Sequence, residues 1–300
     1  MIQLGTILVP HDFSPHSDSA LRRAVALAKT GKGRIHLLHA YAWPVRGVMP
    51  YDMAMPAGVW DAIREGTREK LEEIRAEVAK QGVPAEAEVS AQLPVEAIVD
   101  AAARLKAGLI VVGTRGLTGL KHVVLGSIAE RTVRLAPCPV LTVKEDDAGG
   151  EIRRIVVATD FSAPGDHARD VGVSLAKQLG AEVHLVHAFD IPLAMVTPYE
   201  VTVPDGLIRE AREAARKKLD AALETIRKQG VKATGHLGEV PAAPAVADVA
   251  RDVKADLVVI GTHGRTGLKH VLLGSVAERT LRLAPCAVLS VKQADRQLDG

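Results

Sequence analysis

The chain contains itself twice. Residues Gly113–Thr132, "GTRGLTGLKHVVLGSIAERT", recur as Gly261–Thr280, "GTHGRTGLKHVLLGSVAERT", with 16 of 20 positions identical at an offset of 148 residues. The same offset carries "TILVPHDFSP" at Thr6–Pro15 onto "RIVVATDFSA" at Arg154–Ala163, and "HLLHA" at His36–Ala40 onto "HLVHA" at His184–Ala188. A period this long exceeds any solenoid unit, so each copy is expected to be a domain with its own core. The acidic, glycine-containing stretch "EDDAGG" at Glu145–Gly150 reads as the join. The expected boundaries are therefore 1–146 and 151–294, with 147–150 as linker.

Within each copy, short Ile/Val/Leu-rich runs alternate with longer helical patterns. In the first copy the runs lie near 6–10, 34–40, 85–91, 108–112 and 139–143. Helical stretches fall near 15–31, 57–82, 94–107 and 127–135. "LIVVG" at Leu109–Gly113 and "LVVIG" at Leu257–Gly261 are apolar without alternation, as suits a central strand covered on both faces. Strands alternating with helices imply a parallel sheet with right-handed crossovers. The expectation is an α/β fold with five parallel strands and four helices per domain.

The two copies have diverged unevenly. Tyr41–Trp60 agrees with Phe189–Ile208 at only 6 of 20 positions, against 16 of 20 in the glycine segment. Something beyond common origin holds that segment fixed. Its pattern is Gly-x-x-Gly, nine residues, then Gly-Ser: Gly113, Gly116, Gly126 and Ser127, then Gly261, Gly264, Gly274 and Ser275. Glycines after a strand allow close backbone approach to a ligand. Ser127 with Glu130, and Ser275 with Glu278, have the S-x-x-E form of a capping box that opens a helix. A helix start offers free N–H groups and the positive end of its dipole to phosphate. In open parallel sheets ligands sit beyond the carboxyl ends of strands where the order reverses. The first strand, ending near Asp12, and the fourth, ending near Gly113, could line one such crevice.

These residues resemble the nucleotide-binding, tandem-domain branch of the universal stress protein family. The resemblance covers nearly all of both halves. It rests on the glycine pattern, on "DFS" at Asp12–Ser14 and Asp160–Ser162, and on the closing "PCPVLTV" and "PCAVLSV". It implies two Rossmann-like domains of the adenine nucleotide alpha hydrolase type, each binding ATP, with or without Mg. By position, Asp12 and Asp160 would hydrogen-bond the nucleoside, and the backbone at Ala40 and Ala188 would meet the adenine edge. Gly113, Gly116, Gly126 and Ser127, with Gly261, Gly264, Gly274 and Ser275, would hold ribose and phosphates. Pro10 and its counterpart Ala158, and Arg115 against His263, belong to the same expected sites and make them unequal. His11 stands where a small hydroxyl residue is usual, and is expected to crowd or contact the ligand.

The expected function is regulation or sensing of stress, with ATP bound in one or both domains and nucleotide-dependent contacts to an unidentified protein partner. Two other readings stay open: a slow ATPase or nucleotidyl-transfer enzyme, and a nucleotide-free scaffold. The chain lacks Gly-x4-Gly-Lys-[Ser/Thr], which argues against P-loop hydrolysis. Lys121 and Lys269 could reach phosphate or stay solvated, and His122 and His270 show no base or metal partner in sequence. No Cys or His cluster has metal-ligand spacing. A net charge of +2 and 3% aromatics give no case for nucleic acid or an anionic membrane. The start "MIQLGTILVPHDFS" lacks signal-peptide character, and no apolar run reaches membrane length, so a cytoplasmic protein is expected. Cys138 and Cys286, one per copy, read as small core residues rather than disulfide partners. Pro44–Trp60 holds three of the five Met residues and reads as a lid, a partner surface or a packed loop. Fusion of two copies suggests an internal pseudo-dimer joined at the closing strands, with a homodimer also open.

Overall fold

A computed structural model of the chain describes residues 4–41, 57–114, 125–189, 205–262 and 273–292. It divides into two compact units, residues 2–151 and 152–300. The first contains β1 (Thr6–Pro10), α1 (Pro15–Gly31), β2 (Arg34–Ala40), α2 (Ala57–Lys80), β3 (Ala85–Ser90), α3 (Pro94–Arg104), β4 (Leu109–Gly113), α4 (Ser127–Leu135) and β5 (Val140–Val143). The second repeats the series as β6 (Arg154–Ala158), α5 (Ala163–Leu179), β7 (Glu182–Ala188), α6 (Asp205–Lys228), β8 (Ala233–Gly238), α7 (Ala242–Asp252), β9 (Leu257–Gly261), α8 (Ser275–Leu283) and β10 (Ala287–Val291). The expected alternation of five strands and four helices holds in each unit.

Within the first unit the strand order is β3-β2-β1-β4-β5, and within the second β8-β7-β6-β9-β10. All these neighbours pair in parallel, with Ile7 opposite both Ile35 and Leu109, and Ile155 opposite both Val183 and Leu257. The chain winds outward from β1 to β3, then returns to the other side of β1 as β4. That reversal puts a crevice beyond the carboxyl ends of β1 and β4, and likewise of β6 and β9.

The apolar runs form the core. Ile7, Leu8, Ile35, Leu37, Ile110 and Val111 are sealed from solvent, as are Ile155, Val157, Leu185 and Val259. Each such side chain contributes about 1.5–3 kcal/mol of transfer free energy. β4 is buried at every position, as its unbroken apolar run requires. By contrast α2 buries Leu71 and Val78 and leaves most of its charged residues exposed, an outer helix.

Local chemistry starts the helices at the strand ends. The Ser14 hydroxyl accepts from the Ser17 N–H to cap α1, with Pro15 in its first turn, and Ser162 caps α5 through the Gly165 N–H. One sequence expectation needs correcting here. Cys138 and Cys286 form no disulfide, but both are half-buried rather than in the core, because they fall in the turns that enter β5 and β10.

A candidate nucleotide site at the strand ends

The turn after β1 is built from the "HDFS" segment. The His11 N–H donates to the Leu38 carbonyl, tying the turn to β2. Asp12 Oδ1 accepts both the Ser14 N–H, at 3.1 Å, and the Ser14 hydroxyl, at 2.5 Å. Between them Phe13 takes φ 63°, a left-handed conformation that bulky residues rarely adopt. Its ring stacks on His39 with centroids 4.6 Å apart, and Lys70 Nζ from α2 lies 4.5 Å from the ring centre. His39 in turn donates from Nδ1 to the His11 carbonyl at 2.7 Å. The second unit reproduces this at Phe161, with φ 57°, its ring 4.5 Å from that of His187, which donates to the Thr159 carbonyl. The aromatic–imidazole contact offsets the backbone strain and holds each Asp-bearing turn in one shape.

The hydrogen bonds of His39 and His187 near the strand ends agree with their place in the sequence, whereas the Phe13–His39 and Phe161–His187 contacts were missed there. The available signal was that two of only three Phe residues occupy matching repeat positions, each with a His one strand away.

His11 differs from its expectation. Its side chain is wholly buried, so it faces α1 rather than a ligand: Nε2 donates to Asp18 Oδ1 at 3.1 Å and Nδ1 accepts the Phe13 N–H at 3.2 Å. In the second unit the hydroxyl of Thr159 accepts the Phe161 N–H at 3.1 Å. His11 therefore does the hydroxyl's job with a ring nitrogen. Burial pushes its pKa below the ordinary value, with Asp18 and then Asp12 opposing. The unfolded chain thus takes up a proton below about pH 6.5 that the folded chain resists, and stability falls as the pH drops from there toward the folded pKa. His236, also lowered, by burial and then by His184, contributes with the same sign. His11→Thr should reduce the loss of melting temperature between pH 7.5 and 5.5. An unaltered loss would show that His11 carries none of it.

The fourth strand ends at Gly113, where a Cβ would come within 2.8 Å of the His16 carbonyl oxygen and 2.9 Å of its Cβ. Glycine here lets α1 pass directly over the strand end. Past it, the Gly126 N–H donates to the Thr114 carbonyl at 2.7 Å, and the Gly274 N–H to Thr262 at 2.9 Å. In each unit one backbone hydrogen bond thus ties the start of the helix to the residue that follows the strand.

The capping-box expectation is overturned. The N-cap of α4 is Gly126 and that of α8 is Gly274, with no side-chain hydrogen bond at either cap. Ser127 and Ser275 are the first helical residues and are exposed, one position too late to cap. The hydrogen bond from Gly126 back to Thr114 sets the bend one residue earlier than the S-x-x-E pattern implies. The first-turn N–H groups of each helix consequently have no intrahelical partner, and among the described residues no side chain caps them.

The topology gathers most of the expected residues. Pro10, Ala40 and Gly113 end three adjacent strands, with Asp12 in the turn beyond the first and Gly126 and Ser127 at the start of α4. Ala158, Ala188, Gly261, Asp160, Gly274 and Ser275 hold the same places in the second unit. Arg115, Gly116, His263, Gly264, Lys121, Lys269, His122 and His270 lie outside the described residues, as do 42–56. The set offers backbone donors at a positive helix end and a carboxylate beside the central strand, donors and acceptors of the kind a phosphorylated nucleoside needs.

The model of the universal stress protein family matches residues 4–144 and again 151–292. The chain belongs to that family. A universal stress protein of Mycolicibacterium smegmatis is 28% identical over 307 aligned positions, covering 97% of this chain and 99% of the relative. A universal stress protein of Methanocaldococcus jannaschii is 37% identical over 147 residues, 48% of this chain and 85% of the relative, so it matches one copy's length. The solved structure of a universal stress protein from Archaeoglobus fulgidus shares the fold at TM-score 0.74 and 23% identity, with 98% of each chain covered. This chain is thus a tandem universal stress protein, and among its described residues no helix is long and apolar enough to cross a membrane.

Proposed function

We propose that each half of this tandem universal stress protein binds an adenine nucleotide, ATP, and that loading alters contacts with a protein partner in a stress response. The observation that carries the reading is a helix start that no described side chain caps, beside an Asp-bearing turn at the sheet's reversal point, built twice in one chain. Phosphates would take the first-turn N–H groups of α4 and α8, whose dipoles favour anions. Asp12 and Asp160, each with one oxygen fixed by its own Ser, would accept from the ribose hydroxyls. The backbone ends of β2 and β7 at Ala40 and Ala188 would read the adenine edge. Mg, where present, would neutralise phosphate charge.

Calorimetric titration of the nucleotide-stripped chain with Mg-ATP should give two sites per chain. A flat titration would remove the nucleotide reading and leave a scaffold. Measuring phosphate release in the same samples separates a binding module from a slow ATPase: two sites without turnover is the expected result.

A further inference from the structure

We infer that the second half carries a site for a late first-row divalent metal ion, held by His184 of β7 and His236 of β8. The two imidazoles face each other on one side of the sheet, with His184 Nδ1 and His236 Nε2 only 3.1 Å apart and ring centroids 5.3 Å apart. Two nitrogens that each bind a metal at about 2.0–2.1 Å with a tetrahedral angle stand roughly 3.3 Å from each other. The observed separation is thus close to that of a chelating pair, and the rings need to turn so that both lone pairs meet at one metal. On its other nitrogen, Nε2, His184 meets Glu182 Oε1 at 3.4 Å. That carboxylate favours the tautomer with hydrogen on Nε2 and leaves the Nδ1 lone pair aimed at His236, an arrangement that metal-binding histidines use.

In the first half the corresponding position is closed by charge: His36 Nε2 meets Glu88 Oε2 at 2.9 Å, and Glu88 meets Arg104 of α3 at 2.5 Å. At the 148-residue offset Glu88 becomes His236 and Arg104 becomes Asp252, while Arg34 becomes Glu182 and Glu86 becomes Thr234. At these four aligned positions two arginines and two glutamates give way to a glutamate, an aspartate, a threonine and a histidine. A ligand has replaced the carboxylate, and an acid has replaced the guanidinium. Asp252 lies on α7, which packs on β7 and β8, and interacts electrostatically with His236. Such a position calls for an external cation, and imidazole donors suit Zn, Cu or Ni rather than Mg or Ca. Among the described residues no three ligating groups converge, so solvent completes the coordination. Entry of the metal also requires that His236 move its proton from Nε2 to Nδ1, with no net proton change. The site lies towards the outer edge of the second half's sheet, away from the crevice at β6 and β9.

The test is titration of the untagged full-length chain with Zn2+ and with Cu2+, by calorimetry and, for Cu2+, by nitrogen hyperfine structure in EPR. One tight equivalent per chain is expected, with two nitrogen ligands. His236→Glu should weaken it at least tenfold. The double variant His236→Glu, Asp252→Arg rebuilds the first half's ion pair; it should melt as the parent does and also fail to bind. Absence of a stoichiometric site in the parent, or its persistence in the double variant, would overturn the assignment.

Discussion

A chain carrying Gly126→Val is expected to bind one equivalent of Mg-ATP where the parent binds two. The position isolates ligand contact from folding. Gly126 has φ −62° and ψ 144°, extended backbone that any residue adopts, and its N–H bond to Thr114 needs no particular side chain. Exchanging glycine for a poor capping residue costs a helix about 1 kcal/mol. Gly113 would be a worse probe, since a side chain there strikes the His16 backbone and the fold suffers together with the site. At Gly126 a β-branched side chain would stand between the α4 N-terminus and an incoming phosphate. Hydrogen bonds to charged groups contribute roughly 1.5–3 kcal/mol each, so excluding two of them weakens binding about a hundredfold or more. The second half, whose Gly274 is untouched, should keep its affinity and serve as internal control. Two undiminished sites in the variant would show that phosphate does not rest on α4. A large fall in melting temperature would show that Gly126 serves the fold.

The fold was legible because each half obeys local rules that agree with one another. The unbroken apolar run of β4, the alternation of strand and helix patterns and the glycine that ends β4 each announce themselves within a few residues. Features set by distant contacts were not legible. Ser127–Glu130 reads as a capping box, yet the bond from Gly126 to Thr114 moves the helix start by one residue. Phe13 has a side chain that disfavours its observed backbone, and the contacts that hold it there come from the stack on His39, the Lys70 ammonium over its ring and its N–H bond to His11. His11 looked like an intruder in a ligand site because its partner, Asp18, lies on the next turn of structure rather than beside it. Asp12 and Asp160 were recognisable, whereas the residues that aim their turns were not.

The join between the halves is the strongest example, and it carries the second large effect. Residues 145–150 have the composition of a tether, but α1 holds them through Arg23. Its guanidinium reaches Asp147 Oδ1 from Nη2 at 2.7 Å and from Nε at 3.1 Å, and donates from Nη1 to the Gly150 carbonyl at 2.5 Å. The Gly149 N–H donates to the same Asp147 oxygen at 2.7 Å, with Gly149 at φ 69°, and the Ser19 hydroxyl donates to the Glu145 carbonyl. The side chains of Arg23 and Asp147 are only 7% and 8% exposed, so neither charge has water to fall back on. Removing one member of such a pair strands the other, at a cost of about 3–5 kcal/mol. Asp147→Ala should therefore lower the stability of the first half by that amount, read from its denaturant midpoint. The counterpart of Arg23 in the second half is the buried Val171, which shows that the same helix position accepts an apolar residue. Adding Arg23→Val to Asp147→Ala should consequently recover most of the loss, because no charge is then left buried. A single variant that costs less than about 1 kcal/mol, or a double variant no better than the single, would mean that the clamp does not hold the segment. In that event residues 145–150 would be the free tether that their composition suggests.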